Sequence, residues 1–65
     1  MSVAKNIRLY LVENSITQKW LSMKTGIDYE KICLSLNENR KLDVEEFVKI
    51  LVALNEPAER FIKSD

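Results

Sequence analysis

Cys33 is the only thiol in a chain that contains no histidine, and this pair of facts limits the available chemistry. A thiolate nucleophile, a redox couple or a zinc site needs a second thiol or an imidazole nearby, and neither exists here. The serines equally lack an activating base, and a single glycine cannot build a phosphate-cradling loop. The carboxylates fall on helix surfaces with no cleft-forming fold around them. The sequence therefore predicts no enzyme: no catalytic residue, no metal, no cofactor and no small-molecule ligand. What remains is recognition chemistry, concentrated in TQKWLSMKTGIDYEKICLSLN, residues 17–37, where Lys19, Lys24 and Lys31 share the stretch with Asp28 and Glu30.

The elements that must position these groups follow from apolar spacing and caps. Val3, Ile7, Tyr10 and Leu11 form one helical stripe, predicting a helix over residues 3–13 that stops at Asn14 and Ser15. Thr17 is a good N-cap for a second helix, with Ile16 and Leu21 placed as a hydrophobic staple. Gly26 closes that helix in the left-handed conformation. Asp28 caps a third, whose inner side includes Ile32 and Leu36; its carboxylate is expected to be occupied with backbone N–H groups at the positive helix end. Asp43 and Glu46 make a capping box for a fourth helix, behind which Val44, Phe47, Val48, Leu51 and Leu54 repeat at helical spacing. Pro57 suits the first turn of a short fifth helix carrying Phe61 and Ile62. Apolar residues throughout are assigned to the core.

Sixty-five residues are read as one all-α domain, residues 1–65, with a small stability margin. No run approaches a membrane span and MSVAKNIRLY lacks the pattern of a signal peptide, so a cytoplasmic protein with no membrane partner is expected. Net charge is zero, yet it divides: residues 1–41 hold seven Lys/Arg against four Asp/Glu (+3), and residues 42–65 hold three against six (−3).

A capped short helix, a single glycine in a tight turn and a second short helix have the grammar of a helix-turn-helix over about residues 17–37. Ser22, four residues before Gly26, is placed where the helices are expected to cross closely, with Ile27, Leu21 and Ile32 as the wedge between them. At this point the sequence resembles the Cro and phage-repressor helix-turn-helix family, also called the xenobiotic response element family. The resemblance is carried by Thr17-Gln18, Leu21-Ser22, Thr25-Gly26-Ile27, Ile32, Asn37, Arg40-Lys41-Leu42-Asp43, Phe47, Lys49-Ile50 and Ala53-Leu54-Asn55. It implies a compact five-helix domain of the lambda-repressor-like type that binds double-stranded DNA, with the third helix in the major groove.

The resemblance also distributes roles. Gln18, flanked by Thr17 and Lys19, falls on the phosphate-anchoring start of the second helix; Tyr29, Glu30, Cys33 and Leu34 fall on base-reading positions; Asn39, Arg40 and Lys41 fall on the backbone-gripping loop. Lys31 sits on the rim as a further phosphate contact or a solvated lysine. A carboxylate at Glu30 accepts from cytosine N4 and is repelled by most other groove edges, which weakens general affinity and sharpens choice. Tyr29 has three readings: a phosphate contact, a thymine-methyl contact or helix packing. The sequence departs from the family where a glutamate–arginine pair is replaced by Leu36 and Leu11, an exchange that is energetically reasonable. Ser35 stands where Ile or Leu is usual, leaving a gap that Met23, Trp20 or Leu34 is expected to fill.

The function implied is that of a small transcriptional regulator, repressor-like and from a phage or other mobile element. It is expected to act as a homodimer, at least on DNA, with Phe61 and Ile62 as candidate dimer contacts or as part of their own core. The alternative is a protein-binding module of the same fold, antirepressor-like or antitoxin-like, favoured by the zero net charge and by Glu30 and Leu34 on the reading face.

Overall fold

A computed structural model describes residues 2–62; Met1 and residues 63–65 of the expected 1–65 domain lie outside the described residues. Among the described residues five α-helices follow in order: α1 (Val3–Glu13), α2 (Gln18–Thr25), α3 (Tyr29–Leu36), α4 (Val44–Leu54) and α5 (Glu59–Ile62). The described residues contain no strand. The helix ends are where the caps put them. Ser2 accepts from the Lys5 N–H at 3.1 Å and Thr17 from the Trp20 N–H at 3.0 Å. The Asp43 N–H donates to Glu46 Oε1 at 3.1 Å, one arm of the capping box. Each such cap satisfies backbone donors that the helix itself cannot.

The core is a single cluster of Ile7, Leu11, Leu21, Ile27, Ile32, Leu36, Ile50, Leu54 and Phe61. α2 packs on α3 and α4, while α1 packs on α3 and α5. Leu11 and Leu36 are both fully buried in it. Fully burying side chains of this size contributes about 1.5–3 kcal/mol each, the main force holding so small a chain together.

Several expectations need correction. Val44 and Val48 do not face the core: they are 74% and 51% exposed, and Ile50, absent from the expected stripe, is fully buried in their place. α4 turns the side bearing Phe47, Ile50 and Leu54 inward, so Val44, Val48 and Val52 look out. Phe61 is only 1% exposed, because α5 folds back on α1. Its ring meets Tyr10 edge-on at 5.4 Å, and Asn6 Nδ2 donates to its carbonyl at 2.7 Å. It is therefore a core residue, leaving Ile62, 45% exposed, as the surface member of the pair. α5 itself is a single turn starting two residues after Pro57.

Ser35 leaves no apolar gap for Met23 or Leu34, which stay exposed, and Trp20 packs only at the margin of the core. Its buried hydroxyl instead accepts from Arg40 Nη1 at 2.8 Å. Asp28 caps α3 by position only; its side chain makes no capping bond, so the carboxylate lies exposed and unoccupied by backbone N–H groups. Gly26 is required for its φ of +76° and not for space, since a Cβ there would meet nothing within 4 Å.

Candidate nucleic-acid interface

The unit formed by α2, the turn and α3 is fixed by side chains that satisfy the turn's own backbone. Ser22 Oγ donates to the Ile27 carbonyl at 2.5 Å. Thr25 Oγ1 donates to the Leu21 carbonyl at 2.8 Å and accepts from the Ile27 N–H at 3.2 Å. Ser22 thus serves by hydrogen bonding, a closer role than smallness alone. With Leu21, Ile27 and Ile32 buried beneath, α3 is held in one orientation on α2.

That orientation divides α3 into two sides. Ile32, Ser35 and Leu36 face inward, while Tyr29, Glu30 and Leu34 are exposed and Cys33 is half-buried among them. The four base-reading candidates therefore share one outward face. The Tyr29 phenol pKa is raised, chiefly by the Cys33 thiol one turn on. The face is half apolar: Tyr29 is 50% and Leu34 40% exposed.

The phosphate candidates differ in freedom. Thr17, Lys19, Lys31, Asn39 and Lys41 are exposed; Gln18 is half-buried at the start of α2. Arg40 is held. Nη1 donates to Ser35 Oγ at 2.8 Å and to Glu46 Oε1 at 2.9 Å, and Nη2 donates to Glu46 Oε2 at 3.0 Å. These use three of the five N–H donors that a guanidinium carries. The Nε–H and the second Nη2 hydrogen share the remaining edge and have no partner among the described residues. The pair shifts both groups toward their charged forms: the hydrogen bond from Arg40 lowers the Glu46 pKa, helped by the Asp43 N–H and the charge of Lys31, and the one to Glu46 raises the Arg40 pKa.

Compared with known proteins, the chain matches no family model, no curated protein and no solved structure. The site thus stands on its own geometry.

Two residues with a part in it were not singled out from the sequence. Arg8 of α1 donates through Nη1 to the Leu36 carbonyl and to Asn37 Oδ1, both at 3.2 Å, and so ties down the end of α3. Nothing in the local sequence marks it. Glu46 was legible as a capping residue but not as the partner of Arg40; the signal available was Ser35, a polar residue at a core position that demands a donor. Among the described residues no buried side-chain polar atom lacks a hydrogen-bond partner. A further groove lies elsewhere, between α1 and α5. It is open and lined by Leu9, Tyr10, Glu13, Glu56, Glu59 and Arg60 among others. Three carboxylates against one guanidinium suit it poorly to phosphate.

Proposed function

We propose that the chain is a small sequence-specific double-stranded DNA-binding protein, a Cro-like or repressor-like transcriptional regulator whose α2–turn–α3 unit works as a helix-turn-helix. The observation that carries the reading is the pinned turn beneath an outward face of α3 that bears Tyr29, Glu30, Cys33 and Leu34. In this reading α3 enters the major groove, Tyr29, Glu30, Cys33 and Leu34 meet base edges, and Gln18 with the lysines meets phosphate. Arg40 offers its unpaired edge to the same backbone. Two copies on one site set their third helices roughly 34–36 Å apart.

A second reading is supported by one feature of that face. Tyr29 and Leu34, with Met23 exposed on neighbouring α2, make it unusually apolar for a DNA surface, and such a patch suits a protein partner. One experiment separates the two: mixed genomic DNA fragments are bound at two salt concentrations and the retained fragments sequenced. Recovery of one short, roughly palindromic site with steep salt dependence supports the regulator. No retention by folded protein at low salt transfers the reading to the protein-binding module.

A further inference from the structure

The outer side of α4 carries three β-branched residues that its own core does not use. Val44, Val48 and Val52 follow one another at intervals of four, and Val52 is the most exposed at 75%. Valine is a poor choice for an open helix position, because its branched side chain loses rotamer freedom there without packing in return. At 100° per residue the three drift across roughly 80° of helix surface, and Glu45 and Lys49 lie together along one rim of that stripe. Both are exposed, and neither is in an ion pair among the described residues.

We propose that this face is an interface between two copies of the chain, with α4 packed antiparallel on α4 about a two-fold axis at Val48. The axis sets Val48 against itself and Val44 opposite the partner's Val52. A two-fold of this kind leaves each rim facing its own copy, so Glu45 comes within reach of the partner's Lys49, and the contact occurs twice. The charges select the occupant. One acid and one base spaced for an antiparallel copy are complementary to this same face, whereas a uniformly acidic or basic ligand leaves one of them opposed. Three valines and two charged residues cover less than the about 800 Å² per partner of a stable interface. The pair is therefore weak, and forms at high local concentration such as two copies on adjacent half-sites. It requires no DNA and is independent of the regulator reading.

Sedimentation equilibrium of the full chain without DNA, at concentrations up to about 1 mM, tests it. Wild type is expected to self-associate and Val48→Lys to remain monomeric. Glu45→Lys and Lys49→Glu, each setting like charges against like across the pair, are expected to weaken association roughly three- to tenfold. An equimolar mixture of those two variants, in which every cross-pair is opposite in sign, restores it. Circular dichroism confirms that each variant is folded. Monomer throughout for wild type, a mixture no tighter than its components, or association lost on Ile62→Asp but untouched by the α4 variants overturns the proposal.

Discussion

Glu46→Gln separates an arginine held for use from one merely neutralised. Glutamine keeps an acceptor for the Asp43 N–H, so the capping box survives, but it takes away the charge and one of the two acceptors that grip Arg40. Coulomb attraction alone predicts tighter DNA binding, because a carboxylate has been removed from beside the loop that we propose meets phosphate. Preorganisation predicts the reverse. Arg40 is fixed at three N–H groups and presents one two-donor edge, and a loosened guanidinium must be ordered again on binding. Affinity for a selected fragment is expected to fall roughly three- to tenfold in Glu46→Gln. Arg40→Ala, which deletes the contact, should also reduce the slope of log K against log salt by about 0.9. That single contact accounts for a factor of roughly 3.5 between about 50 and about 200 mM salt, well within the precision of fluorescence anisotropy titrations. Folded Glu46→Gln protein that binds as tightly as wild type, or more tightly, refutes the reasoning.

Other expectations concern stability and choice. Glu38 holds φ at +63° without being glycine, so Glu38→Gly should stabilise by about 1 kcal/mol and raise Tm by about 4–8 °C in a thermal melt. Phe61→Ala should cost about 3–5 kcal/mol, against a total of about 3–10 kcal/mol for a domain this size, and urea unfolding should find it barely folded. Because Arg40 depresses the Glu46 pKa in the folded state, that contribution to stability is complete above the ordinary glutamate range and is lost as pH falls through the folded value. An acid titration of Glu46→Gln should show a shallower loss than wild type. Glu30→Ala is expected to relax sequence choice while leaving general DNA affinity equal or higher, as read by repeating the fragment selection.

The parts of the fold that were legible in the sequence are those decided locally. Thr17, Gly26 and the Asp43–Glu46 pair act on backbone groups within a few residues, and the limits of α2 and the start of α4 follow from them. Facing was harder. VEEFVKILVAL is apolar at most positions, so two stripes at helical spacing compete, and only the tertiary position of α2 selects Ile50 over Val44 and Val48. Phe61 and Ile62 are neighbours on a single turn, and which one is buried depends on Tyr10 and Asn6, more than fifty residues earlier. At the candidate interface the grouping of Tyr29, Glu30, Cys33 and Leu34 came from the family resemblance, and their exposure on the outer side of α3 agrees with one shared face. The grip of Glu46 and Ser35 on Arg40 was not legible, since it links three segments through a loop whose path no local signal fixes.

The bond from Asn6 to the Phe61 carbonyl joins the first helix to the last, and this has a consequence for birth on the ribosome. Synthesis at about 5–20 residues per second leaves an interval on the order of 3–10 seconds between the appearance of α1 and the arrival of Phe61. During that time Ile7, Leu11 and Tyr10 have no finished core to enter. This part of the nascent chain stays open to chaperones and proteases until Phe61 has been made.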